Sequence, residues 1–291
     1  MAQSGITFAV VYGLIGRNVA AEKRNWAMGL TAAAGSFGQC LMVPVESWLI
    51  CAWAWQNARF VLGCGALAFV PLALGLREPP RAAHAGFQPR VGAAVCEAFN
   101  HRSVQWLTTG YFVCGFQVVF IGVHMPSYLL DHGLAPEVAT VAPALIGLFN
   151  VVGTYTAGSL GQRLPKRHIL SAINGLRSVV IVAFLWAPLT PWSVYLFAAT
   201  MGLLWLSPVP PTNAAVAQIF GVQYLSMLGG FVVLSHQVGS FMGAWLGGRL
   251  YGIFGNYDLV WGIAVALGQL AALINLPVRE VAIMRPAPQP A

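Results

Sequence analysis

Apolar runs close to twenty residues long recur from one end of this chain to the other. At 1.5 Å per residue, that is the length a helix needs to cross about 30 Å of hydrocarbon. The runs are continuous rather than alternating with period two, which favours a helical bundle over a transmembrane barrel. Only 8% of the residues are charged, against 58% hydrophobic. Soluble domains carry about 25% charged residues, so a soluble fold of this composition would have little surface to offer water. The expectation is an all-α membrane protein that crosses the bilayer many times.

Nine segments are predicted, at about 1–16, 26–50, 60–76, 104–129, 136–160, 168–187, 193–219, 224–251 and 259–276. No Lys or Arg precedes the first apolar residues and no small-residue cleavage site follows them, so the start reads as the interior of a helix rather than a signal peptide. The region 77–103 is the only long hydrophilic stretch and is expected to connect two bundles. This divides the chain into a three-helix bundle (1–76), a connector (77–103), a six-helix bundle (104–276) and a tail (277–291). The tail is rich in Pro and Ala and is expected to be disordered.

Membrane proteins keep Lys and Arg in loops on the cytoplasmic side. The alternate loops 17–26, 77–103, 161–168, 220–224 and 277–291 hold twelve of them, whereas 51–59, 130–135, 188–192 and 252–258 hold Arg59 alone. The connector and the C-terminus are therefore expected inside the cell, with the protein multi-pass in the inner (plasma) membrane. The net charge of +7 comes from these loops and does not point to nucleic acid. Cys40, Cys51, Cys64, Cys96 and Cys114 lack CxxC spacing and four of them lie in or beside apolar runs, where Cys behaves as a small hydrophobe, so neither a disulfide framework nor a metal site is expected. No Walker loop, HExxH or GxSxG occurs. An ATP-driven pump, a hydrolase and a cofactor are accordingly not expected.

Three stretches resemble a known family. The sequence AVVYGLIGRNVAAEKRNWAMGLTAAAGSFGQCLMVPVESWLI, with its basic turn Glu22-Lys23-Arg24 and Gly29, Gly35 and Gly38, is similar to the fourth and fifth helices of major facilitator superfamily transporters. GSLGQRLPKR (158–167) resembles that family's loop G-x-L-G/A-D-R-x-x-R-R through Gly158, Leu160, Gly161, Arg163, Lys166 and Arg167, with Gln162 where the family has an acid. The segment at 110–134 is similar to the seventh helix of the monocarboxylate transporter and oxalate/formate antiporter branch. The resemblance implies helices four to twelve of a twelve-helix fold, with the first three lacking. It also implies a gating role for Gly158, Gly161, Arg163, Lys166 and Arg167, although Gln162 leaves without a partner any gate that needs the acid. The two halves of such transporters are parallel repeats, and Gly35-Ser36-Phe37 is echoed by Gly239-Ser240-Phe241.

An ionisable residue at mid-helix costs roughly 2.5–3.5 kcal/mol on insertion scales and usually faces a cavity or a partner. His236, between Ser235 and Gln237, is a candidate for proton transfer, since a free imidazole titrates near pH 6.5. His124, just before Pro126, is a second candidate. Arg177 offers a fork for a carboxylate, with pairing to a neighbouring carbonyl as the plainer alternative. WLSPVPPTN (205–213) should break its helix near mid-membrane, where transporters place substrates, making Thr212 and Asn213 candidate ligands. Asn150, Gln39 and Glu46 complete the set, Glu46 with Arg59 as a possible partner. Gly239, Gly243 and Gly247, four residues apart, read as a packing stripe.

The sequence thus predicts a secondary transporter of a small organic anion, monocarboxylate-like and proton-coupled. Its partners would be that solute and the lipid bilayer, and no nucleic acid. The alternatives are a non-transporting fragment of such a transporter and, more remotely, a polytopic membrane enzyme using His124 or His236.

Overall fold

The computed structural model describes residues 3–67, 100–222 and 225–283. Nine helices occur among them: α1 (Gln3–Asn18), α2 (Ala21–Ala66), α3 (Arg102–Asp131), α4 (Pro136–Leu160), α5 (Lys166–Trp186), α6 (Pro191–Leu204), α7 (Val209–Phe220), α8 (Leu225–Phe254) and α9 (Asp258–Asn275). The described residues contain no strand. The predicted segment at 60–76 beyond residue 67, most of the connector and residues 284–291 of the tail lie outside the described residues.

The count of nine agrees with the sequence through an exchange. The predicted segment at 26–50 and residues 60–66 of the next lie in one helix, α2, broken by a kink at Trp53 and Ala54, where Ala54 takes a φ of 58°. The expected loop at 51–59 is therefore a kink. The predicted segment at 193–219 is instead two helices, α6 and α7, parted at 205–208. Pro208, Pro210 and Pro211 lack the amide hydrogens that would continue the ladder across that gap. The start of α6 is sharply set, because Thr190 and Ser193 form a capping box and Pro191 follows the cap.

Among the described residues, five helical spans are long and apolar enough to cross a bilayer: Arg102–Asp131, Pro136–Leu160, Lys166–Trp186, Pro191–Phe220 and Asp258–Asn275. Trp186 and Trp192 are 86% and 82% exposed, and Trp48, Trp53 and Trp55 also face outward. Indoles so uncovered suit a lipid interface rather than water. They gather at the end opposite the basic loops.

The helices before the connector dock on those after it at three places, α1 on α8, α2 on α4 and α2 on α7. Both the α2–α4 contact and the most extensive contact, α3 on α8, depend on glycine. A Cβ on Gly29 would lie 2.7 Å from the Cα of Gly158. Across α3–α8, a Cβ on Gly115 would strike the His236 carbonyl, and Cβ atoms on Gly239 and Gly243 would strike the carbonyls of Phe112 and Phe116. Small residues let backbones meet where lipid tails are as apolar as the side chains. The expected packing stripe is thus a real interface.

Two apolar cores flank these crossings. One, near the tryptophan-rich end, centres on Phe120, Phe184, Phe197 and Trp261. The other joins Tyr12 and Met28 to Tyr111, Cys114 and the body of α7.

Candidate functional site

The gap between α6 and α7 leaves backbone groups that need partners. The Leu204 carbonyl would normally accept from residue 208, but Pro208 has no N–H. The Trp205 carbonyl would accept from Val209, whose N–H goes instead to the Leu206 carbonyl at 3.0 Å. Arg177 supplies what is missing. Its Nε and one terminal nitrogen donate to the Leu204 carbonyl at 3.1 and 2.6 Å, and that nitrogen also donates to the Trp205 carbonyl. On the other side, the Leu206 N–H donates to Asn150 Oδ1 at 3.0 Å, while Asn150 Nδ2 donates to Ser36 Oγ at 2.9 Å. Asn150 therefore ties α2 to the broken helix through α4, and Arg177 occupies the carbonyl end of α6, where the helix dipole favours a cation.

Arg177 is fully buried, and among the described residues no carboxylate pairs with it. Its remaining nitrogen reaches Gln117 Oε1 at 3.5 Å. Gln117 is held in turn by donating to the Ala264 carbonyl at 2.8 Å. The Cys114 thiol, also fully buried, lies near both Arg177 and His236. His236 approaches Ser240 Oγ through Nδ1 at 3.4 Å and packs its ring 5.0 Å from that of Tyr111. Its Nε2 is buried without a partner. Tyr111 in turn sits within electrostatic range of Tyr12, Cys114 and Arg177. One cationic centre thus links α1, α3, α5 and α8.

Of the sequence candidates, Arg177 and His236 come near each other here, with Cys114 near both, and Asn150 joins them through the helix break. Tyr12, Tyr111, Cys114 and Gln117 were not anticipated. Tyr111, Cys114 and Gln117 recur every third residue, a spacing that puts them on one face of α3, and this was the available signal. Cys114, expected to act as a small hydrophobe, instead lies between a guanidinium and an imidazole.

Other candidates lie elsewhere. His124 Nε2 pairs with the Ala244 carbonyl at 2.9 Å, eight residues or about 12 Å of helix beyond His236, and its ring packs on Phe120 and Tyr257. Burial, with Tyr251 and Asp131 close by, raises the Tyr257 phenol above its ordinary value. Thr212 is buried, and Asn213 Nδ2 donates back to the Val209 carbonyl of its own helix at 2.9 Å. Neither reaches the Arg177 centre. Glu46 is exposed on α2, and Arg59 stacks over Trp55 at 4.0 Å rather than pairing with it. The Gln39 side chain lies outside what the structure describes.

The loop motif forms a second locus at the basic end. Gly158 is at the α2–α4 crossing, and a Cβ on Gly161 would overlap the amide of buried Asn25. The tail beyond Pro277 is not disordered as far as Ile283. Val278 is fully buried, Arg279 N–H donates to Ser103 Oγ at 3.1 Å, and Ile283 N–H donates to the Ile219 carbonyl at 2.9 Å. Glu280 holds the centre of this strap, accepting from Arg167 N–H at 2.8 Å and pairing with Lys166 Nζ at 3.4 Å. Removing this carboxylate as Glu280→Ala is expected to cost about 1–2 kcal/mol, since hydrogen bonds to charged groups exceed neutral ones but exposed pairs contribute little. Faster hydrogen exchange at the Ile283 amide, with helix-core amides unchanged, is the expected readout. Unchanged exchange there would mean the strap is held without the Glu280 carboxylate, by Val278 and the hydrogen bonds of its backbone.

Relatives and a solved structure place this geometry. An uncharacterized MFS-type transporter of Bacillus subtilis (strain 168), YcxA, is 23% identical over 266 residues, covering 87% of this chain and 64% of the relative. Monocarboxylate transporter 13 of Rattus norvegicus is 26% identical over 269 residues, covering 88% of this chain and 60% of the relative. The chain thus spans 60–64% of the length of these relatives. The crystal structure of the E. coli fucose:proton symporter superposes with a TM-score of 0.66 at 13% identity, over 92% of this chain and 72% of that one. A family model described as Major Facilitator Superfamily matches residues 1–210. This is an integral membrane protein, and the chain belongs to the Major Facilitator Superfamily.

Proposed function

We propose that this chain serves a secondary transporter that moves a small organic anion of monocarboxylate type together with a proton, by alternating access. The observation that carries this reading is the fully buried Arg177, with no carboxylate partner among the described residues, close to a His236 whose Nε2 is unpaired, with Cys114 near both. A guanidinium committed to backbone carbonyls is a poor direct ligand but a strong source of positive potential in a medium of low dielectric. In this reading His236 presents the proton and its Nε2–H to the carboxylate, and Arg177 sets the potential that draws the anion in. Relatives described as monocarboxylate transporters support the substrate class, and the fold neighbour described as a proton symporter supports the coupling. The basic end, with the connector and the tail, is assigned to the cytoplasm by the charge asymmetry of the loops, and the connector links two rocking bundles.

Uptake of labelled lactate and pyruvate into proteoliposomes tests the reading. Uptake is expected to rise several-fold from about pH 8 to about pH 6, and His236→Gln is expected to flatten that dependence. A wild-type pH dependence that persists in the variant would remove His236 from the coupling. The span of only 60–64% of the relatives favours a second reading, a portion that does not transport alone. Uptake that appears only when upstream in-frame coding sequence is included would establish it.

A further inference from the structure

A cavity of about 480 Å³ opens at the basic end, between the loop 161–167 and the strap 279–281. Arg163, Lys166, Arg167 and Arg279 line it, with Glu280 as the only acid in its wall. Glu280 is already committed, to Lys166 and to the first turn of α5. The three guanidiniums are left without a carboxylate among the described residues. Two donors at this locus are buried and unpaired, Arg167 Nε and Gln162 Nε2. Cationic side chains gathered on one cavity with unused donors call for a ligand with several acceptor oxygens and negative charge, and a phosphate fits that need.

A second cavity of about 740 Å³ adjoins the first, because Gln162 and Arg163 line both. Its walls include Trp26, Tyr155 and Leu160, large side chains that are 40%, 44% and 43% exposed, with Glu22 and Lys23 from the first turn of α2 offsetting each other in charge. These lie on α2 and α4, where the helix before the connector meets the helix after it. A phosphate cradle opening onto an apolar groove along a membrane helix has the two-part chemistry of a phospholipid.

We propose that the two cavities together form a binding site for one anionic phospholipid. Arg163, Arg167 and Arg279 hold its phosphate, and an acyl chain lies along Trp26, Tyr155 and Leu160. Such a lipid would span the α2–α4 crossing and the strap at once. Basic pockets between helices near the membrane surface are where anionic headgroups bind. This assignment needs only that the chain sits in a bilayer, and it holds whether or not the transport reading does.

Native mass spectrometry of the purified chain in mild detergent, titrated with phosphatidylglycerol, phosphatidylcholine or inorganic phosphate, tests it. Phosphatidylglycerol should bind at least about tenfold more tightly than phosphatidylcholine, and the double variant Arg167→Gln with Arg279→Gln should lose that selectivity while retaining weak binding of both lipids. Trp26→Ala should weaken lipid binding but leave any phosphate binding unchanged. Equal affinity for the two lipids overturns the proposal, as does selectivity that survives in the double variant. Inorganic phosphate that displaces the lipid completely at low millimolar concentration overturns the lipid assignment in favour of a free phosphate site. If the double variant does not fold, wild-type selectivity and its loss in Arg279→Gln alone decide the outcome.

Discussion

Replacing Arg177 with glutamine is expected to destabilise the protein by about 2–6 kcal/mol, since each buried acceptor left unsatisfied costs about 1–3 kcal/mol and two carbonyls are affected. The effect comes from the acceptors left behind. The Leu204 and Trp205 carbonyls would lose every described donor, because Pro208 cannot donate and Val209 is engaged with Leu206. Gln117 Oε1 would lose its contact as well. A glutamine amide is shorter than the guanidinium and cannot reach from α5 to both carbonyls. Arg177→Lys keeps the charge but not the fork, so it should fall between wild type and glutamine. Thermal unfolding in detergent measures the order, wild type above Lys above Gln. If glutamine unfolds at the wild-type temperature, the α6–α7 gap is satisfied by other means. Anion uptake, measured on whatever glutamine variant folds, should be undetectable, since the potential that draws the anion would be gone.

How legible this was in the sequence depends on the range of each interaction. Apolar length and loop charge are local properties, and they gave the helices and their alternation. The break near Pro208 was likewise legible, because proline removes a donor wherever it stands. Its consequence was not followed through. Once Pro208 is placed, the Leu204 carbonyl needs an outside donor, and a buried arginine is the strongest one available. That step needs to know that α5 packs beside α6, a contact between residues 27 positions apart. Asn150 with Ser36, 114 positions apart, is further still from local inference. Cys114 was misread because its residue type is usually an inert hydrophobe, and only neighbours from α5 and α8 make it polar in context. The strap was misread from composition. Pro and Ala suggest disorder, yet one buried Val278 and one doubly held Glu280 order the backbone through Ile283. Thr212 and Asn213 illustrate the same limit, since both are buried in α7 and the Asn213 amide turns back on its own turn, a pairing that residue type alone does not reveal.

Gly239→Leu is expected to prevent recovery of folded protein. The Cβ alone would overlap the Phe112 carbonyl and stand 3.1 Å from the Phe116 amide nitrogen. These are backbone atoms of α3 and cannot rotate aside as a side chain end does. Overpacking a core usually costs about 1–3 kcal/mol, and more when no rotamer change relieves it. Here relief requires α3 and α8 to part, which would also open the crossings at Gly115 and Gly243 and move His236 away from Cys114 and Tyr111. Gly239→Ala should be recoverable but destabilised, because a methyl still meets the same carbonyl. Gly262→Leu is the matched control, as nothing lies within 4 Å of a Cβ there, so a leucine should project into lipid without loss. Size-exclusion profiles of fluorescently tagged variants rank the three. A monodisperse Gly239→Leu peak as high as that of Gly262→Leu would mean that α3 and α8 do not meet through glycine, and the site built on that crossing would have to be redrawn.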